Sequence, residues 1–352
     1  MIITDAWKEE RPVLRGLDEA GSISMVQRGL ALRKQIETIL DDFWNEGFDG
    51  IWFIGIGGTY ASCMQAAVFA KSRTAMPVYC ENAAEFLTTG NKRFTDKAIV
   101  IFSSESGNTK EMVQLAECIK EKGARTLAFI DTPGSTLTQD GLCTHVIISR
   151  KNEQIKFFLC MSYLMYRNGD FAEYEDYWQN MEAYLPQALV QVEKESDAWA
   201  RAYAEKKAEQ LQKRPDLPHY FVAAGNQYGA AYSYGMCYWE EQLWIRTRVV
   251  SCPEFFHGMQ EVIEKDTPVT LYIGEDEQRP LAERVARFLP KVCANYAIID
   301  TKEFALEGIK PQYRQFISHL VMHAVNNRVD AYLEYYLRHP MTIRRYYRQF
   351  EY

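Results

Sequence analysis

The chain has 352 residues, with 40 Lys and Arg against 47 Asp and Glu, for a formal net charge of -7. That length exceeds one typical domain of about 100–150 residues and points to two. The acidic balance argues against a nucleic-acid partner, whose phosphate backbone is held by clustered Lys and Arg. It leaves a phosphorylated small molecule open, because backbone N–H groups hold one phosphate without a basic surface.

Short apolar runs alternate with helical patterns from residue 51 onward. The pattern predicts strands over 51–56, 98–102 and 126–130, with helices from about Tyr60 and about Asn108. This is the βαβ rhythm of a parallel sheet. Residues 171–213 are polar and rich in Glu, Gln, Lys and Ala, and read as connecting helices broken at Pro186 and Pro215. The rhythm then resumes with strands over 219–224, 249–250, 269–273 and 296–299, a helix from about Tyr228 and a long helical finish from about Gln312.

Ile54-Gly55-Ile56-Gly57-Gly58-Thr59-Tyr60 resembles Val222-Ala223-Ala224-Gly225-Asn226-Gln227-Tyr228 at an offset of 168, and Glu85-Phe86 recurs as Glu254-Phe255 at 169. Nearly equal offsets predict a diverged duplication. The expected organisation is an N-terminal arm and helix over 1–34, a first lobe over 35–170, a helical connection over 171–214, and a second lobe with C-terminal helix and tail over 215–352. The N-terminus, Met1-Ile2-Ile3-Thr4-Asp5, lacks a basic and apolar leader, and no stretch reaches the roughly 18 apolar residues of a membrane span. A cytoplasmic protein with no membrane partner is expected. The eight cysteines show no CxxC or CxxH spacing of the kind zinc needs, so buried free thiols and no metal are expected.

Four segments carry chemistry. Gly57, Gly58 and Thr59 stand between a strand and a helix, where glycine lets backbone approach a ligand and the helix start offers free N–H groups. The segment Ser103-Ser104-Glu105-Ser106-Gly107-Asn108-Thr109 crowds the hydroxyls of Ser104, Ser106 and Thr109, with Glu105 among them, at the end of the 98–102 strand, and hydroxyls and amides at a helix start suit a phosphate dianion. A hydroxyl N-cap alone needs one Ser or Thr and leaves the rest unexplained. In the second half, His257 sits in Pro253-Glu254-Phe255-Phe256-His257-Gly258, and Glu240 and Glu241 follow Trp239. A carboxylate near Trp239 or Trp244 is a candidate proton carrier; the residues alone leave open which glutamate serves, and whether either does more than face solvent.

Together these segments resemble the double sugar-isomerase (SIS) domain family, over nearly the whole chain. Ser104-Glu105-Ser106-Gly107-Asn108-Thr109 is similar to that family's Ser-x-Ser-Gly-x-Thr loop. The isomerase half of glucosamine-6-phosphate synthase shares a helical glutamate sixteen residues before a His-Gly pair, a spacing that selects Glu241 over Glu240. The tail, His339-Pro340-Met341-Thr342-Ile343-Arg344-Arg345-Tyr346 and Glu351-Tyr352, resembles instead the bacterial deglycases of phosphorylated fructosamines and glucosamines, which also carry a Glu-Phe-x-His-Gly segment.

The resemblance implies an α/β fold of two tandem SIS-type three-layer αβα lobes with parallel sheets. It implies a cytoplasmic, homodimeric enzyme that hydrolyses a 6-phosphorylated sugar–amine conjugate to glucose 6-phosphate and the free amino acid, without a cofactor. Glu241 and His257 are then catalytic. Gly57, Gly58, Thr59, Ser104, Glu105, Ser106, Thr109 and Arg345 bind substrate, and Arg344, Arg345 and Arg348 are candidates to meet an α-carboxylate. The rival readings are a phosphosugar aldose–ketose isomerase and a non-catalytic phosphosugar-binding regulator.

Overall fold

A computed structural model describes residues 11–347 and Gln349. The first ten residues of the expected arm, Arg348, Glu351 and Tyr352 lie outside the described residues. Internal packing divides the chain into two compact units, Ala20–Pro186 and a second that joins the segment ending at Glu19 to Gln187 onward.

The first unit follows α1 (Glu19–Leu30) and α2 (Arg33–Glu46) with β1 (Ile51–Gly55), α3 (Gly58–Lys71), β2 (Val78–Asn82), α4 (Ala83–Thr89), β3 (Ile99–Ser104), α5 (Lys110–Glu121), β4 (Arg125–Ile130), β5 (His145–Ile148) and α6 (Glu153–Arg167). Its five strands are parallel, in the order β2-β1-β3-β4-β5. Side chains alternate across the sheet. Trp52, Ile54, Val100, Phe102, Ala128 and Ile130 therefore meet Phe86 of α4 and Met112, Leu115 and Ile119 of α5 on one face. On the other, Phe53 and Phe129 meet Phe157 of α6, whose Phe158 stacks on Phe69 of α3.

This three-layer arrangement explains the legible strands. β1 and β3 are buried along their whole length, as parallel strands covered on both faces must be, so they read as continuous apolar runs. The sequence pattern missed β2 and β5 for the complementary reason. Both are edge strands with one partner; β2 is only half-buried and carries no unbroken apolar run, and β5 is four residues long with Ile148 exposed.

After α7 (Tyr174–Lys213), the second unit holds β6 (His219–Ala223), α8 (Asn226–Ser233), a π-helical segment (Tyr234–Glu240), β7 (Thr247–Ser251), α9 (Cys252–Phe255), β8 (Val269–Ile273), α10 (Arg279–Val292), β9 (Tyr296–Asp300) and α11 (Ser318–Leu337). Its sheet is parallel, in the order β7-β6-β8-β9. Val222, Val250, Leu271 and Ile273 pack on Phe255 of α9 and Val285 and Leu289 of α10. The opposite face is aromatic and polar. Phe221 meets Trp239 and Tyr234, Thr270 bonds Tyr203 of α7 at 2.7 Å, and Tyr272 bonds Asn326 of α11 at 3.1 Å. Both lobes are thus doubly covered α/β sheets with matching strand order, as the internal repeat predicts.

Two expectations need correction. α7 is not broken at Pro186; it runs through that residue and ends at Lys213, just before Pro215. An interior proline costs about 3 kcal/mol, and the buried stripe before it, Tyr174, Tyr177, Trp178, Met181 and Leu185, offsets that cost by packing at helical spacing. The C-terminal helix does not begin at Gln312. Pro311–Phe316 is a 3₁₀ segment, and α11 starts at Ser318. Among the described residues the eight cysteines form no disulfide, and Cys80, Cys118 and Cys237 are only partly buried, against the expectation of buried thiols.

Asp330 of α11 is buried and takes the hydroxyl proton of Tyr234 at 2.7 Å. Desolvation pushes its carboxyl up to about 7, against a lowering by the Tyr234 bond and Arg15. A carboxyl whose folded pKa is raised binds more protons folded than unfolded, so stability falls as pH climbs from about 4 to about 7 and is level above. An Asp330→Asn chain, which cannot ionise, should gain on the wild type across that window by on the order of 1–4 kcal/mol and differ little below it. Urea denaturation at the two ends of the window measures the difference; a pH-independent difference would refute the assignment.

Candidate active site

The first unit builds its candidate site at the carboxyl ends of β1 and β3. Gly57 adopts φ 62° as the N-cap of α3, and nothing lies within 4 Å of where its Cβ would stand. Gly58 and Thr59 open that helix and are half-buried. The hydroxyl loop begins as β3 ends. Ser104 is buried, and its hydroxyl accepts the N–H of Gly107 at 3.1 Å, folding the loop back on itself. Gly107 has φ 62°, and a Cβ there would overlap Oγ and Cβ of Ser135.

The remaining hydroxyls are poised rather than consumed. Ser106 accepts the N–H of Asn108 at 3.2 Å and lies 3.4 Å from the Thr109 hydroxyl. Thr109 is the N-cap residue of α5, yet its side chain makes no capping bond. The ordinary explanation for a hydroxyl at this place, an N-cap, is therefore not what Thr109 does. Its hydroxyl and the first N–H groups of α5 sit together at the positive end of the helix dipole. Glu105 points outward, with its carboxylate 2.8 Å from Lys151. Lys151 and Asn152 are consecutive residues at positive φ, 61° and 65°, and the Lys151 N–H bonds Asp131 at 2.8 Å. Sequence reasoning passed over Lys151 because no motif marks it; only folding brings it to the loop.

In the second unit, the π-helical segment sends the paired glutamates different ways. Glu240 is exposed and accepts both the hydroxyl (2.6 Å) and the N–H (3.3 Å) of Thr247, tying the helix to the start of β7. The Glu241 N–H reaches back to the Met236 carbonyl at 3.0 Å, five residues earlier. Its carboxylate meets Arg344 Nε at 2.8 Å, and the Arg344 guanidinium is itself held by the carbonyls of Met341 (2.7 Å) and Ile343 (2.9 Å). The sequence reading of Arg344 as a partner for a substrate carboxylate did not foresee this. Arg345 is exposed and stacks over Trp244, 4.3 Å from the ring centroid.

His257 is exposed, and its N–H bonds the Glu254 carbonyl at 3.0 Å. Phe255 and Phe256 turn toward Phe288 of α10 and leave the histidine outside. Within one chain Glu241 and His257 stand on either side of β7. Glu241 precedes β7 and follows Trp239, on the face lined by Phe221. His257 follows β7, beyond Phe255 on the opposite face. A five-residue strand alone spans about 13 Å.

Residues 49–166 match the family model of the SIS domain. The fructosamine deglycase of Bacillus subtilis (strain 168) is 26% identical over 93% of this chain and 100% of its own length. The fructoselysine 6-phosphate deglycase of Escherichia coli (strain K12) is 26% identical over 89% of each chain. Among solved structures, a candidate phosphosugar isomerase from Salmonella typhimurium LT2 superposes with a TM-score of 0.82 at 21% identity, covering 91% of this chain and 99% of that one. The fold likeness therefore extends across both lobes.

The loop geometry makes a direct prediction. Gly107→Ala should destabilise the chain by roughly 1–2 kcal/mol for the left-handed backbone alone, and by more because the new methyl meets Ser135. Adding Ser135→Gly should restore part of that loss, since it removes the two atoms overlapped. Chemical denaturation of the single and double variants tests this, and equal stability of Gly107→Ala and wild type would contradict the described turn.

Proposed function

For this double SIS-domain protein we propose a deglycase activity: hydrolysis of a 6-phosphorylated sugar–amine conjugate to glucose 6-phosphate and the free amino acid. The whole-length likeness to a fructosamine deglycase carries this reading. The uncapped hydroxyl loop of the first lobe supports it, as a place for the 6-phosphate built from Ser104, Ser106, Thr109 and the turn at Gly57, Gly58 and Thr59. Arg345 is proposed as a further contact to the amino-acid part of the substrate.

The chemistry derives from the substrate. A cyclic phosphosugar must open before a proton can leave carbon, which calls for an acid–base group at the ring, and His257 is the proposed one. Glu241 then takes the C1 proton of the ketose conjugate, giving the enaminol, and returns it at C2. The carbon–nitrogen bond is now an imine at C1. Water adds there, the carbinolamine collapses, and the amine leaves with its proton. The Arg344 contact holds the Glu241 carboxylate in one orientation for both transfers.

One chain holds its Glu241 and His257 at opposite ends of β7, so the proposed enzyme is a homodimer in which each site combines Glu241 of one chain with His257 of the other. Glu241→Gln and His257→Ala should each lose most of kcat, by about 10²–10⁴-fold. Mixing and reannealing the two inactive chains should recover about a quarter of wild-type activity, because half the dimers are hybrids and each hybrid has one intact site. No recovery on mixing, or full activity in a monomer by light scattering, would remove the shared site. Normal turnover in Glu241→Gln would remove the mechanism.

Substrate class is tested with a panel of 6-phosphorylated conjugates of lysine, asparagine and other amino acids, assaying glucose 6-phosphate and free amine together. Isomerised sugar without free amine would favour an aldose–ketose isomerase. Ser106→Ala should chiefly raise KM for the phosphorylated substrate, by about tenfold or more, with kcat retained. An unchanged KM would remove the phosphate assignment.

A further inference from the structure

The two lobes contain the same strand–turn–helix, filled differently. β1 and β6 lead into α3 and α8 through glycines of nearly identical conformation, φ 62° and ψ −132° at Gly57, φ 59° and ψ −137° at Gly225. β3 lies beside β1 as β8 lies beside β6. The loop after β8, Gly274-Glu275-Asp276-Glu277-Gln278, is therefore the counterpart of the hydroxyl loop after β3, and α10 the counterpart of α5.

In the first lobe the space over the glycine is open. In the second it is occupied: a Cβ on Gly225 would overlap both carboxylate oxygens of Asp276. Asp276 is buried. Its Oδ2 accepts the N–H of Asn226, the first residue of α8, at 2.8 Å, and its Oδ1 accepts the N–H of Gln278 at 2.9 Å. The Gln278 side-chain oxygen in turn accepts the Gly225 N–H at 3.2 Å. The neighbouring charges are settled elsewhere, Glu275 by Arg314 and Arg279 by Asp300. The donors at the start of α8 and of the loop before α10 thus converge on one carboxylate, the arrangement in which a helix start holds a bound anion.

We propose that Asp276 is the resident anion of the second lobe, standing where a sugar phosphate stands in the first, so that the second lobe is closed to phosphosugars and its turn is ordered without ligand. The comparison rests on the phosphate reading of the first lobe; the closure of the second rests on its own contacts. The consequence reaches the chemistry, because α8 and the π-helical segment run directly from this turn to Glu241.

Hydrogen–deuterium exchange of the full chain tests the proposal, with inorganic phosphate as probe. In the wild type, amides over 222–233 should be protected equally with and without phosphate. In Asp276→Ser, which opens the turn, their protection should fall at least about tenfold and return on adding phosphate. Unchanged exchange in the variant, a loss that phosphate does not reverse, or added protection of this segment by phosphate in the wild type would each overturn it. Should Asp276→Ser not fold, Asp276→Asn serves: its amide NH₂ must face one of the two N–H donors, so wild-type stability in that variant would equally overturn the proposal. Amides over 54–65, read in the same samples, report on the first lobe. Their indifference to phosphate would count against the proposed substrate while leaving the second-lobe result intact.

Discussion

Parallel strand pairing is the constraint on which the rest depends. Because every strand in a sheet runs the same way, every βα turn opens at the same edge, and every following helix presents its unsatisfied N–H groups there. A lobe built this way has a concentration of positive dipole ends at one edge whatever its sequence. What the sequence decides is how that edge is satisfied. The first lobe lines it with Ser104, Ser106 and Thr109 and leaves the Gly57 turn open; the second closes it with the Asp276 carboxylate.

The same topology separates the two proposed proton carriers. Glu241 enters β7 and His257 leaves it, so the strand that fixes both also keeps them apart. The sixteen-residue spacing selected Glu241 over Glu240 but did not show that a strand lies between the two residues. The π-helical segment adds a second adjustment. Its wider turn rotates the chain beyond it, and here it lets Glu240 tie down Thr247 while Glu241 faces Arg344. Gly235 permits this, since a Cβ there would press on Val249 and Thr247.

The same physics separates the legible elements from the hidden ones. β1 and β3 were legible because strands covered on both faces are apolar throughout, and β4, β6 and β8 through shorter apolar stretches. The edge strands were read only where an apolar stretch marks them, as in β7 and β9, and β2 and β5 were missed. The Gly57 and Ser104–Thr109 turns were legible because a strand end followed by glycine and hydroxyl residues at a helix start restricts residue type locally. Asp276, Lys151 and the Arg344 contact left no local trace, since each owes its place to chain remote in sequence. Pro186 misled for a related reason: a proline breaks an isolated helix, but a stripe from Tyr174 to Leu185 packed at helical spacing outweighs it.

The proposed binding of a dianion by an acidic chain poses an electrostatic question, and the charges at the loop bear on it locally. Net charge acts over about a Debye length, roughly 8–10 Å in physiological salt, so the formal -7 of the whole chain matters less than the charges at the loop. There the Glu105 carboxylate is paired with Lys151. Such an exposed pair is worth only about 0–1 kcal/mol, so it neutralises Glu105 without committing Lys151, and the dipole of α5 remains as the net positive field. The second lobe makes the opposite choice. By carrying its anion on the chain it satisfies the start of the helix leading to Glu241 without a ligand, and under the proposed function substrate binding energy is then spent in the first lobe.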